Sequence, residues 1–278
     1  MKYRFLRYPG MRAKAATMSF DDANVCDVRL VEIMTRHGIK GTFNLPGTAF
    51  AEERQGGRIS ASDAEALYYP NGHDVAIHGA QHMCLALAAP KDAIVEVIDN
   101  REFLEGFYSK IIRGMAYADR GFTSDTVKEL LRMLGITYAR VVATTGEFSL
   151  PADWLEWSMT CKANAKSRDE LLDRFLSADV SKNYVAKRDP MLFSLWGHSF
   201  ELPDQWDEFD AFCAKLGGRE DVWYCTNTEL YEYCHAYDCL VFSHDNRIVY
   251  NPTQIDVFFE GSCKEYTVKA GETLIIND

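Results

Sequence analysis

Short apolar runs and amphipathic helical segments alternate along most of this chain, and that alternation constrains its fold more than any other feature. Residues 15–20 read as a strand. Residues 22–37 carry apolar positions at Val25, Val28, Val31, Ile33 and Met34, a helical spacing that Gly38 ends. Strands are predicted at 39–45, 75–77, 110–113, 136–142, 191–196 and 222–225. Between them lie helical patterns: one after Ser60, with Asp63 completing an approximate capping box, and one over 91–107 with Ile94, Val97, Ile98 and Leu104 on a face. Ser124 caps a segment bearing Val127, Leu130, Leu131 and Leu134, which Gly135 closes, and Ser167 with Glu170 opens a helix over 171–178. A stripe of Trp206, Phe209, Phe212, Cys213 and Leu216 stops at Gly217-Gly218, and 229–235 is the last helix.

Such repetition predicts an α/β protein, a distorted (β/α) barrel of about seven parallel strands with helices outside. After Asn246 the rhythm changes. Residues 247–278 alternate apolar and polar positions (Val257, Phe259; Tyr266, Val268; Leu274, Ile276) around turns at Glu260-Gly261-Ser262 and Ala270-Gly271. The expected organisation is therefore a barrel over 1–246 and a small antiparallel β appendage over 247–278, with no internal repeat.

The length of 278 residues suffices for a core of that size. A net charge of -11 excludes a backbone-binding nucleic-acid protein, which needs a basic face, and suits a neutral or cationic substrate. The eight cysteines include no C-x-x-C pair and mostly sit among apolar neighbours, which predicts reduced, buried thiols. No apolar run approaches a membrane span, and residues 1–10 lack the apolar stretch of a signal peptide. The expected location is cytoplasmic as written, or secreted if a leader has been trimmed.

In parallel barrels the chemistry sits at the carboxyl ends of the strands. Four polar sets fall there: Asp21-Asp22 after the first strand, His78 after 75–77, Arg113 at the end of 110–113, and His198 after Leu195-Trp196-Gly197. Two imidazoles four apart, His78 and His82, together with one carboxylate leave coordination open for water and substrate, as a catalytic zinc requires. Each residue also has a plainer role. Asp22 is a possible helix cap, His78 and His82 possible surface residues, His198 a core histidine, and Arg113 a salt-bridge residue. The H-x-x-x-H spacing also lacks the glutamate of a zincin. Most of the five tryptophans fit core packing better than sugar stacking.

Three blocks carry a family resemblance: Thr17-Met18-Ser19-Phe20-Asp21-Asp22, then Gly38-Ile39-Lys40-Gly41-Thr42-Phe43-Asn44, then Gly72-His73-Asp74-Val75-Ala76-Ile77-His78-Gly79-Ala80-Gln81-His82. With them the chain resembles the NodB-homology polysaccharide deacetylases of carbohydrate esterase family four, over residues 15–243. The resemblance implies that Asp22, His78 and His82 hold one divalent metal, usually zinc, and that Asp21 is the general base. It also implies that Arg113 orients Asp21, that the Tyr117 amide joins the oxyanion hole, that His198 is the general acid and that Trp196 lines the acetyl pocket. Three departures accompany it. The segment Arg113-Gly114-Met115-Ala116-Tyr117 is one residue longer than the family's third motif and lacks its proline. Asp153-Trp154 fits the fourth motif weakly, and in Trp196-Gly197-His198 a Trp replaces the usual Leu.

The expected function is metal-dependent removal of acetyl groups from an N-acetylated poly- or oligosaccharide, with no nucleic-acid or membrane partner. Two rivals remain: an O-acetyl esterase or non-sugar amidase on the same fold, and a catalytically silent carbohydrate-binding protein.

Overall fold

The computed structural model describes residues 3–180 and 187–277; Met1, Lys2 and Asp278, at the outer ends of the two expected regions, lie outside them. In chain order the elements begin β1 (Arg4–Arg7), β2 (Lys14–Asp21), α1 (Asp27–Arg36), β3 (Gly41–Leu45), α2 (Ala61–Leu67), β4 (Asp74–Ile77), α3 (Pro90–Tyr108) and β5 (Gly114–Ala116). They continue with α4 (Asp125–Met133), β6 (Tyr138–Thr144), β7 (Trp157–Met159), β8 (Cys161–Lys162), α5 (Arg168–Ser177), β9 (Met191–His198), α6 (Trp206–Leu216), β10 (Val222–Tyr224) and α7 (Asn227–Asp238). The chain closes with β11 (Val241–Phe242), β12 (Ile248–Tyr250), β13 (Val257–Gly261), β14 (Lys264–Val268) and β15 (Thr273–Ile275).

The large sheet is wholly parallel, in the order β7-β6-β5-β4-β3-β2-β9-β8. Its ends meet. β7 pairs with β6 and β8 pairs with β9, while only Thr160 separates β7 from β8. The Thr160 amide donates to Ser194 O at 2.8 Å, so the run from 157 to 162 bonds one neighbour and then the other and closes the barrel. Counted with that run as one strand, the ring has the seven strands expected, and β10 extends it beside Lys14–Ala16, where β3 does not reach. Every residue of β2 is buried, as in a strand covered on both faces. Phe20, Phe43, Phe193 and Phe209 fill the space between sheet and helices.

Local signals explain most helix ends. Ser60 and Asp63 form a complete capping box at α2, and Ser124 accepts the Val127 amide at α4. Gly38 and Gly135 adopt left-handed φ just past α1 and α4. Two expectations shift. Ser167 makes no capping bond, so α5 begins without one. α7 starts earlier than the pattern suggested, because Thr226 and Glu229 form a full capping box.

The C-terminal region is antiparallel, as its alternation predicted, but it is not self-contained. β13 and β14 form a hairpin whose outer neighbour is the N-terminal β1, and β12 lies between β11 and β15. Buried Arg7 on β1 bonds Glu260 on β13 at 2.8 Å, tying the two chain ends together.

His73, just before β4, is buried, and its Nδ1 accepts the Gly41 amide at 3.1 Å. Its Nε2–H then faces Thr35 Oγ1, also at 3.1 Å. Burial and the nearby Lys40 push its pKa down to about 4 from 6.5. Between those values the unfolded chain binds the proton and the folded one does not, so stability falls as pH drops from 6.5 toward 4. The full effect is about 3 kcal/mol. Buried Asp27, raised to about 7 by burial, acts with the opposite sign. The His73 contribution is therefore read as a difference: His73→Gln should lose less melting temperature between pH 7 and 4.5 than the parent. Equal losses in both proteins would count against it.

Candidate metal and catalytic site

The parallel ladder assembles the centre of the site. Asp21, at the end of β2, stands in register with Asn44 on β3 and with His198 on β9. Asn44 Nδ2 donates to Asp21 Oδ1 at 2.8 Å and to Ser19 Oγ at 2.8 Å. The other Asp21 oxygen receives a close hydrogen bond from the Arg140 guanidinium. Burial alone raises the Asp21 carboxyl, but the Arg140 guanidinium, through its charge and its hydrogen bond, leads the effects that hold the group below its usual range. Asp21 is thus an ionised carboxylate kept out of water.

Asp22 does not cap a helix. α1 begins at Asp27, and Asp22 and Ala23 turn the chain through left-handed φ values of 81° and 51°. A non-glycine residue there is strained, and such strain persists only where the surroundings enforce it. Here the Asp22 amide donates to Asn44 O at 3.1 Å. The turn directs the Asp22 carboxylate at both histidines: Oδ1 lies 3.6 Å from His78 Nε2 and 3.4 Å from His82 Nε2. One ligand atom from each of Asp22, His78 and His82 falls within 4.8 Å of the others. His78 Nδ1 lies 2.9 Å from Ala116 O. A carbonyl only accepts, so Nδ1 carries the proton and Nε2 keeps its lone pair facing Asp22. The donor types, their spacing and this fixed tautomer all fit a divalent cation.

His198 approaches from the other side. Its Nε2 is 3.8 Å from Asp21 Oδ2 and 3.7 Å from Asp22 Oδ2. Its Nδ1 is 3.4 Å from Glu201 Oε2, and Lys162 Nζ holds the other Glu201 oxygen at 2.7 Å. Trp196 is buried beside this group. The Arg140 guanidinium lies 4.7 Å from its ring centre and Lys162 5.2 Å, and its indole N–H has no hydrogen-bond partner among the described residues.

Arg113 and Tyr117 fall elsewhere. The strand expected over 110–113 forms instead directly after it, as β5, so Arg113 precedes its strand and lies at the opposite end of the barrel, exposed, with Nε donating to Gly135 O at 2.9 Å. Arg140 on β6 occupies the place beside Asp21. Its only local signal was a charge inside the apolar run 136–142, where a buried guanidinium requires a partner. The Tyr117 amide is already spent on Arg140 O at 2.9 Å and its hydroxyl on Leu155 O at 2.7 Å, so neither faces the site. Asp153 caps a short helical turn over Trp154–Glu156 and pairs with Lys128, away from the site.

Fold and site together define a parallel α/β barrel with three histidines and two carboxylates gathered at the carboxyl ends of its strands. Residues 9–139, just under half of the chain, match the polysaccharide deacetylase family model. A protein from Mycobacterium smegmatis assigned as a polysaccharide deacetylase shares the fold with 16% identity, over 86% of this chain and 96% of that one, at a TM-score of 0.60. A family four pseudoenzyme from Bacillus anthracis superposes with 16% identity over 82% and 68% of the two chains, at 0.53. A family four acetyl xylan esterase from Clostridium thermocellum, in complex with a cobalt ion, does so with 14% identity over 79% and 91%, at 0.52. The chain spans 55% of a Streptococcus pyogenes deacetylase, and no curated protein matches it in sequence. Among the described residues no helix is long and apolar enough to cross a membrane.

Proposed function

We propose that this protein is a metal-dependent hydrolase that removes acetyl groups from an N-acetylated carbohydrate. The observation that carries this reading is the division of labour between adjacent carboxylates. Asp22 faces two imidazoles, while Asp21 is buried, ionised and held by Arg140 and Asn44. A protein that only bound sugar would have no use for the second carboxylate, which disfavours a silent relative of the pseudoenzyme kind.

Asp22, His78 and His82 would hold the cation, with Zn2+ the first choice for two imidazoles and a carboxylate. Such an ion supplies a Lewis acid for the acetyl carbonyl and lowers the pKa of water toward about 7. Asp21 takes the proton from the attacking water as its oxygen bonds to the carbonyl carbon. His198, its Nδ1 beside Glu201, gives a proton to the nitrogen as the carbon–nitrogen bond breaks, releasing acetate and a free amine. Arg140 and Asn44 keep Asp21 pointed at the attack position. The net charge of -11 favours neutral sugars or the amines formed from them.

The test has two readouts. Elemental analysis of the purified protein should find one divalent metal per chain, and His78→Ala should lose it while keeping the parent's circular dichroism. Acetate release from a panel of chitooligosaccharides then checks the activity. Full metal occupancy in His78→Ala would overturn the ligand assignment, and release from O-acetylated xylan alone would favour the ester reading.

A further inference from the structure

The loop carrying His78 and His82 makes almost no hydrogen bonds of its own. Its amides go to two side chains one turn apart on α3. Asn100 Oδ1 accepts from the amides of His78 at 2.9 Å and Gly79 at 3.1 Å. The Glu96 carboxylate accepts from Gln81 at 2.9 Å and Met83 at 2.7 Å, and the Glu96 backbone carbonyl accepts from Ala80 at 2.9 Å. Asn100 is satisfied on its other side too, donating to Leu45 O at 3.1 Å and Gly47 O at 2.6 Å, while Gly47 N closes back onto Gly79 O at 2.9 Å. Both side chains are almost fully buried, Glu96 at 2% and Asn100 at 0% exposure.

We infer that Glu96 and Asn100 are positioning residues that set the geometry of the metal site through the loop backbone, without touching the metal. Two features lead there. His82 adopts a left-handed φ of 58°, uncommon for a residue other than glycine, and its neighbours Gln81 and Met83 both donate to Glu96. Gly79, also left-handed at 89°, leaves the room that Glu96 fills: a methyl group there would stand 2.4 Å from Glu96 Oε1. A buried carboxylate accepting this many amides is costly unless every one is in place. The loop therefore has one arrangement in which all are satisfied, and in it both histidines face Asp22.

The inference rests on the metal-site reading above, and cobalt(II) titration tests the two separately. The parent should bind one cobalt ion with visible absorption of low-coordinate nitrogen and oxygen ligation. Glu96→Ala and Gly79→Ala should each weaken cobalt affinity about 10–100-fold, the range for residues that orient metal ligands, with circular dichroism unchanged. Glu96→Gln keeps one acceptor oxygen for Gln81 and Met83 and should recover most of the affinity, whereas Glu96→Met, which fills similar space but accepts no amide, should stay as weak as Glu96→Ala. If Glu96→Ala fails to fold, Gly79→Ala and Glu96→Gln carry the comparison. Affinities within twofold of the parent in folded Gly79→Ala and Glu96→Ala would overturn the clamp. A parent that binds no cobalt would instead overturn the metal site itself.

Discussion

Replacing His198 with Ala should lower turnover on an N-acetylated sugar far more than on an activated aryl acetate. The imidazole stands across from Asp21 and Asp22, with Nε2 turned toward both and Nδ1 beside Glu201. A departing amine is too basic to leave as an anion and must receive a proton, whereas an aryl oxide leaves without one. A general acid contributes about 10²–10⁴-fold, so the ratio of the two losses should approach that factor. Parallel steady-state assays on the two substrates measure it. Equal losses would place His198 in binding or in stabilising the developing oxyanion. Unchanged rates on both would leave it a packed histidine beside Phe200, 4.9 Å away.

The second large effect concerns Arg140. Both it and Asp21 are buried, and removing one partner of a buried ion pair strands the other charge. Such a loss costs about 3–5 kcal/mol. Arg140→Met should therefore lower the denaturation midpoint strongly in metal-free protein and abolish acetate release by freeing Asp21. Combining it with Asp21→Asn should restore part of the stability, since the stranded charge is then gone, but none of the activity. Arg140→Lys keeps the charge without the planar fork and should fall between. Denaturant titration of the four proteins checks this; a single Arg140→Met as stable as the parent would show that Asp21 does not depend on it.

Local pattern made much of the barrel legible. The apolar runs, the Ser60 capping box and the glycines after α1 and α4 act over a few residues, so they read directly from the chain. The same locality put Asp21, Asp22, His78 and His198 at strand ends. It failed where an element was short or its partner distant. Residues 157–162 are too brief and mixed to register as strands, yet they close the ring because β6 and β9 both lack a neighbour there. β1 reads as an isolated tetrapeptide until β13 pairs with it.

The arginine beside Asp21 shows the limit most clearly. Reading 110–113 as a strand placed Arg113 at the carboxyl end, but the strand begins at Gly114, which admits the Tyr138 ring where a side chain would collide with it. A shift of one short element moved Arg113 to the opposite end of the barrel. Arg140, 119 positions from Asp21, met it only when β6 took its place in the ring. By itself the sequence determined the strand rhythm that gathers Asp21, Asp22, His78 and His198 at one end, because that rhythm depends on residue type and near neighbours. Only the tertiary structure decided which charge faces which carboxylate, and which helix holds the histidine loop, because those contacts join residues that no local spacing relates.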